Sequence, residues 1–295
     1  MPFPLPWNKP PPHTQLGVGW YNNSIRLVRL SHTNNAKPRL DLYKSLPNSK
    51  RPSTILRKFI KRHSLKRIPC VGVMGIGKYQ ILLTEAPPVV DSELVAATRW
   101  QVQELIDFNI EDAIIDVFDV PANHRQEKMI YVVVARKKVV QVKIDNLLGI
   151  GFKLTALDIP ELALRNIAAL LPEDKNGVAL LWLTPKHGML TITRDATLYL
   201  SRTVAGDINN MVPFIIAEIR RSLTYYENHF NQAPIKHLVI APTSPPLPNL
   251  GKYLATNLGI NVRLLDLNEL LNSKLRLSVA QQAQCFPMLG AALRQ

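Results

Sequence analysis

Short alternating apolar runs and longer stretches at helical spacing succeed one another along the chain, and twice they follow the same order. Leu16 to Leu30 (LGVGWYNNSIRLVRL) predicts a β-hairpin, two apolar runs joined by the turn pair Asn22-Asn23. Residues 31–50 are polar and turn-rich. Ser53 to Arg67 predicts an amphipathic helix with Ile55, Leu56, Phe59 and Ile60 on one side, and Ile68 to Met74 a buried strand. Tyr79 to Leu83 is a short strand ended by Pro87-Pro88. Asp91, Ser92 and Glu93 then supply the cap and first-turn acid of a helix that keeps Val95, Thr98, Val102, Leu105 and Ile106 on one stripe. Trp100, about 140° around the helical wheel from Val95, falls off that stripe. Ala113 to Val120 and Ile130 to Ala135 predict strands. Lys137 to Leu148 predicts a helix on Val140, Ile144, Leu147 and Leu148, stopped at Gly149 or Gly151. Phe152 to Asp158 returns as a strand, and Pro160 opens a helix in its favoured first position.

The second half begins as the first does. Gly177 to Leu183 and Gly188 to Thr193 predict another hairpin, and Thr197 to Thr203 a third strand. Asn209 to Asn228 predicts a long helix with Val212, Ile215, Ile219, Ser222, Leu223 and Tyr226 inward and Glu218, Arg220 and Arg221 outward. Ile235 to Ala241 reads as a buried strand, Leu250 to Asn257 as a helix and Asn261 to Leu265 as a strand. The closing CFPMLGAALR, Cys285 to Arg294, reads as a strand end or turn running into a short helix. Two halves that each open with a hairpin and then alternate strands with helices suggest a duplicated α/β architecture.

A chain of 295 residues can bury a large core, and its length suggests two domains. No apolar stretch approaches the roughly 18–20 residues of a membrane-spanning helix, and the proline-rich start MPFPLPWNKPPPH lacks the build of a secretory signal. Cys70 and Cys285 make neither a disulfide scaffold nor a metal cluster, so a reducing cytoplasm is the simplest setting. The charge is lopsided. Ser31 to Lys78 holds twelve Lys or Arg and one acid, Asp41, a net +11 of the total +14. Arg57, Lys58, Lys61, Arg62, Lys66 and Arg67 are the dense part of it. Such a patch suits nucleic acid, an anionic membrane surface or an acidic partner, and equally the solvated face of an ordinary packed helix.

Few motifs point to chemistry. Gly72 to Tyr79 (GVMGIGKY) has the glycine-lysine spacing of a phosphate loop, but it runs on into a strand where such a loop feeds a helix, so a β-turn is the better reading. The seven histidines show no His-x-x-x-His spacing, and no Gly-x-Ser-x-Gly elbow occurs. Asp116 and Asp119, three apart in one strand, face opposite sides.

The order and wording of Tyr79 to Pro121 resemble the PilM family of type IV pilus assembly proteins, and within it the mannose-sensitive haemagglutinin branch. LDIPELALRN (Leu157 to Asn166), AEIRRSLTYYE (Ala217 to Glu227) and PMLGAALR (Pro287 to Arg294) are similar to three further segments of that family. The resemblance implies an actin-like, ribonuclease H-like two-domain fold with a PilM/FtsA-type inserted subdomain and a reduced second domain. On that plan residues 1–15 are a flexible tail, 16–88 and 155–175 the first domain, and 89–154 the insertion. Residues 176–285 are the second domain, and 286–295 a C-terminal helix packed on the first.

Proteins of this fold hold nucleotide phosphates between two hairpins, each offering an Asp and small residues. Setting the family's motifs on this chain puts Gly19 and Tyr21, ahead of Asn22, Asn23 and Ser24, where the first Asp and Gly belong. It puts Trp182 and Thr184 in the same two places of the second hairpin. No acid precedes Asp41 and none lies between Lys175 and Arg194, so a slip of register restores neither. Gly206-Asp207 runs almost directly into the next helix, where the family has an adenosine-side insertion. The expectation is a degenerate nucleotide pocket, no ATP or magnesium as cofactor, no metal and no catalysis.

The family's groove for the cytoplasmic peptide of a membrane-anchored pilus protein falls near Arg99, Trp100, Gln103, Phe108 and Ile110. Trp100 is either covered by its own chain or an anchor for a partner. The function implied is a non-catalytic scaffold at the cytoplasmic side of a bacterial inner membrane, binding a PilN-type bitopic protein and touching the pilus assembly ATPase or platform protein. The alternatives are a working ATP-dependent assembly ATPase and a basic nucleic-acid-binding protein. Loss of the pocket acids argues against the first, and the lack of a readout motif against the second, so no nucleic acid is expected.

Overall fold

The computed structural model describes residues 13–21, 24–32, 37–47, 54–125, 127–205 and 208–294. Most of the proline-rich tail, the Asn22-Asn23 turn and Gly206-Asp207 lie outside the described residues. Strand β1 (His13–Tyr21) begins inside the segment expected to be tail and pairs with β2 (Ser24–His32), which pairs with β3 (Arg39–Pro47), all antiparallel. Helix α1 (Thr54–Arg62) leads into β4 (Pro69–Val73), parallel to β1. The chain then leaves this sheet. β5 (Gln80–Glu85), α2 (Asp91–Val102), β6 (Ala113–Val120), β7 (Met129–Arg136) and α3 (Lys137–Ile150) form a separate unit on an antiparallel sheet ordered β5-β7-β6. It returns as β8 (Lys153–Asp158), parallel to β4, which completes the order β3-β2-β1-β4-β8.

After α4 (Pro160–Ala168), the chain lays down β9 (Val178–Leu183), β10 (His187–Arg194), β11 (Thr197–Ala205) and α5 (Ile208–Phe230). Then come β12 (His237–Ile240), α6 (Leu250–Leu258), β13 (Asn261–Leu264), α7 (Leu267–Leu270) and α8 (Val279–Ala292). The second sheet has the order β11-β10-β9-β12-β13. Strand for strand, its antiparallel and parallel pairings repeat those of the first sheet. The two hairpin-led halves of the sequence are thus one α/β plan used twice.

Besides β3, which lies in the segment that reads as polar and turn-rich, three details differ from the sequence reading. β5 pairs with β7, so it belongs to the sheet of the inserted unit, which thus starts at Gln80, ahead of Val89. The buried stripe of α2 is Leu94, Thr98 and Val102, while Val95 is 39% and Leu105 59% exposed. The helix ends at Val102 and a 3₁₀ turn, Gln103–Leu105, turns Leu105 outward. The C-terminal segment is no strand end. It is a fourteen-residue helix opened by a capping box, in which Ser278 Oγ accepts from the Gln281 amide and the Gln281 side chain accepts from the Ser278 amide.

One core runs through both halves. Val28, Leu40 and Val71 of the first sheet meet Leu180, Trp182 and Val239 of the second around α4 and α8. The helix α8 seats backbone against backbone. A Cβ on Gly17 would lie 1.8 Å from the Met288 carbonyl oxygen, and one on Gly290 would lie 2.0 Å from that of Ala163. Only hydrogen fits at either position. Gly17→Ala and Gly290→Ala should each destabilise by about 1–3 kcal/mol or more, as overpacking does. Gly251→Ala, on α6 with open space around it, should be neutral or stabilising by up to about 1 kcal/mol. Urea unfolding of the three variants checks this, and equal losses would refute the seating.

Candidate functional site

Between the halves lies a cavity of about 980 Å³. The first hairpin contributes Gly19, Trp20, Ser24 and Arg26, and the turn after β4 adds Gly75 and Lys78. From α3 come Val139, Val142, Lys143 and Asn146, and the turn between β9 and β10 closes the far side. Ala283, Gln284 and Pro287 of α8 also line it. Of the expected pocket, Gly19, Ser24, Trp182 and Thr184 therefore share one cleft. The Tyr21 strand end is described but its side chain is not, and Asn22, Asn23, Gly206 and Asp207 lie outside the described residues.

Trp182 packs into the common core, so its indole fills volume at the place where an acid would reach out. Thr184 is tied into its own turn, its hydroxyl donating to the His187 carbonyl and accepting from the His187 amide, each at 3.0 Å. No Asp or Glu lines the cleft among the described residues; Arg26, Lys78, Lys143, Lys186 and His187 do. The Lys143 ammonium stands 4.9 Å from the centre of the Trp20 ring, and burial pushes its pKa down to about 8. Arg26 donates to the Gln284 carbonyl at 3.1 Å. Gly75 to Lys78 is the β-turn that its sequence suggested, closed by the Lys78 amide donating to the Gly75 carbonyl, and it delivers Lys78 to the rim.

The acids nearest by chain lie outside the cleft lining. Asp158 accepts from the Ile159 amide and stands 3.4 Å from the Arg294 guanidinium. Glu161, 1% exposed, accepts a 2.5 Å hydrogen bond from the Tyr79 hydroxyl, and burial pushes its carboxyl up to about 7.

The cations of the cleft were not found by sequence reasoning. They arrive singly, from β2, the turn after β4, α3 and the turn after β9. The one usable signal was Lys143, placed among the valines of α3.

The neighbourhood of Trp100 divides into two groups. Trp100 is 76% exposed and Gln103 is exposed beside it, so no described segment of the chain covers the indole. Arg99 is a strut: it donates to the Ile110 carbonyl at 2.6 Å and the Ala113 carbonyl at 3.5 Å. Phe108 lies half-buried under the Arg136 guanidinium at 4.2 Å, and Ile110 packs on the core of the inserted unit. On α1, Leu56 and Ile60 are buried, while Arg57, Lys58, Lys61 and Arg62, with Lys66 and Arg67 beyond, face solvent. None of these six forms an ion pair among the described residues. Arg57 also donates to the Gly149 carbonyl of α3 at 3.0 Å.

No protein-family model and no curated protein matches this sequence. Solved structures do. The chain is similar to the "PilM-PilN type IV pilus biogenesis complex" at 18% identity and a TM-score of 0.71, over 95% of this chain and 96% of that one. It is similar to the cytoplasmic domain of EpsL, an inner membrane component of the type II secretion system of Vibrio cholerae. There the identity is 13% and the TM-score 0.52, over 92% and 93% of the two chains. A Bacteroides thetaiotaomicron protein of actin-like ATPase fold and unknown function matches at 10% identity and a TM-score of 0.51, over 88% and 93%. The fold is actin-like, and the inserted three-stranded unit sits within its first half.

The Glu161 carboxyl gives a pH test. Its folded value, about 7, lies above the ordinary 4.5, so the native state keeps a proton that the unfolded chain releases. The stability tied to that proton is full below about pH 4.5 and is lost as pH rises to about 7. Glu161→Gln should therefore raise Tm above the wild type at pH 8 and by much less at pH 5. Tyr79 and Asp158, the groups that couple to Glu161, are kept in both proteins. An equal gap at both pH values would mean that Glu161 is ionised in the fold.

Proposed function

We propose that this chain is a non-catalytic, actin-like scaffold of type IV pilus assembly, a counterpart of the mannose-sensitive haemagglutinin biogenesis protein MshI. The observation that carries the proposal is the cleft. Metal-dependent phosphoryl chemistry places carboxylates to hold the cation and orient water, and among the described residues this cleft offers cations in their stead. The fold shared with PilM along nearly the whole chain supports the pilus setting.

The protein would work on the cytoplasmic face of the inner membrane. Among the described residues, no helix is long and apolar enough to cross a membrane. It would hold the cytoplasmic tail of a PilN-type bitopic protein at the surface around Trp100 and connect it to the assembly ATPase or platform protein. A large exposed indole with a polar flank is the composition of a binding hot spot. The face of α1 would rest on anionic headgroups by charge alone, because its apolar residues Leu56 and Ile60 are buried.

Two variants separate these roles. Trp100→Ala should weaken binding of a synthetic PilN-type cytoplasmic tail by about 2 kcal/mol or more, roughly thirtyfold, with vesicle binding unchanged. Replacing Arg57, Lys58, Lys61 and Arg62 together with glutamate should abolish sedimentation with anionic vesicles at low salt and leave the tail bound. The opposite pairing of losses would move the partner site onto α1 and overturn the assignment. A second measurement addresses catalysis. Purified protein with millimolar ATP and magnesium should release phosphate no faster than buffer, and magnesium should add nothing to Tm in the presence of ATP. A bound ligand at 100 times its dissociation constant stabilises by about 2.7 kcal/mol, so a magnesium-dependent rise in Tm would refute the reading.

A further inference from the structure

We propose that a groove along the C-terminal half of α5 docks an acidic, extended segment of a partner protein. The site goes beyond the scaffold reading and does not depend on what the Trp100 surface holds. The helix that carries Trp100 packs on one face of the inserted sheet, against Ile130 and Val132. The second half packs on the opposite face, against Met129 and Tyr131, and the groove lies on that side.

Arg221, Thr224, Tyr225 and Asn228 recur at helical spacing, so they share one stripe of α5, with Arg220 beside it. The other wall is His124, in the turn between β6 and β7. Its amide donates to the His229 carbonyl at 2.7 Å, which pins that turn to the end of α5. Together they enclose about 560 Å³. The ring in the middle is already held. Tyr225 stacks on His229 at 4.6 Å and 16°, and the Arg202 guanidinium of β11 stands 5.6 Å from the centre of its ring. Side chains ordered in advance have less entropy to lose on binding.

Charge, length and lining select the occupant. No Asp or Glu lines the groove among the described residues. The acid within reach of its arginines, Glu218, is shared between Arg221 at 3.0 Å and Arg202 at 3.8 Å. Arg220 donates to the Asn257 carbonyl and forms no ion pair among the described residues. One carboxylate against three guanidiniums leaves a surplus that an acidic partner complements, and guanidinium meets carboxylate bidentately.

From Arg221 to Asn228 the helix advances about 10 Å. That is the span of about three extended residues, whereas a lone carboxylate would fill only one end. The dipole of α5 disfavours negative charge at its C-terminus. The carboxylates therefore belong at Arg220 and Arg221, with Thr224 and Asn228 left for the peptide backbone. No aliphatic side chain lines the groove among the described residues, so it offers nothing to an acyl chain or an apolar helix. Single-stranded nucleic acid stacks its bases on free aromatic rings, and the Tyr225 ring is engaged by His229 and Arg202.

The probe is fluorescein-labelled hexaglutamate, titrated with the full chain at physiological ionic strength and followed by anisotropy. Binding should saturate. Arg220→Gln and Arg221→Gln together should weaken it about tenfold or more. Thr224→Glu, which puts an acid into the groove and leaves the arginines in place, should also weaken it. All three side chains are exposed, so both variants should keep the wild-type Tm. Replacing Arg57, Lys58, Lys61 and Arg62 with glutamine, or Trp100→Ala, should leave the affinity unchanged. A greater loss from either than from the groove variants would move the acidic segment to that surface and overturn the proposal. Failure of Trp100→Ala to weaken a PilN-type tail would instead count against the Trp100 assignment alone. Single-stranded oligothymidylate of matched charge should be insensitive to the groove variants. Greater sensitivity than that of hexaglutamate would make the occupant nucleic acid and overturn the proposal, as would the absence of saturable hexaglutamate binding.

Discussion

The structure depends on a backbone-to-backbone contact that only hydrogen can occupy. At Gly17 a strand of the first sheet touches the Met288 carbonyl, and at Gly290 the same helix touches Ala163 on α4. Interiors pack at crystal-like density and deform little, so two such contacts fix α8 to within tenths of an ångström. The helix is also fastened at its other end. Gln282 accepts from the Leu267 amide at 2.8 Å and donates to Asp266 at 2.7 Å, which ties it to the far edge of the second half. Because Ala283, Gln284 and Pro287 form part of the cleft lining, the helix that joins the halves also sets the width of the space between them.

The positive charge of the chain falls into two populations with different physics. On α1 the cations face solvent, Arg57 also donating to the Gly149 carbonyl, and their reach is limited to about 8–10 Å by salt. In the cleft, Lys143 is partly dry and braced on an indole, so its field is screened far less. A single net charge for the protein conceals this division.

Much of the plan was legible in the sequence where the cause is local. Paired apolar runs around Asn22-Asn23 and from Gly177 to Thr193 show up as the hairpins because alternation is a property of neighbouring residues. The hairpin positions Gly19, Ser24, Trp182 and Thr184 could be set on one cleft because that step needs only the hairpins. Where tertiary contacts decide, the reading failed. The rotation of α2 is set by the sheet beneath it, which takes Leu94 in place of Val95. Pro287 and Gly290 argue against a helix by propensity, yet α8 forms, because its capping box starts it and the core around Phe286 and Leu289 holds it. The cleft cations come from four separate elements, and no spacing along the chain announces them.

The seat of α8 sets the timetable of synthesis. Gly17 is made about 270 residues before Met288. At about 5–20 residues per second, the inner face of β1 waits roughly 15–55 s on the ribosome for the segment that covers it. Until then the surface of Val28, Val71 and their neighbours lacks the part of its cover that α8 supplies. The first half, although translated early, is among the last parts of the molecule to become native, and a nascent chain stalled anywhere before residue 279 presents that surface to the cell.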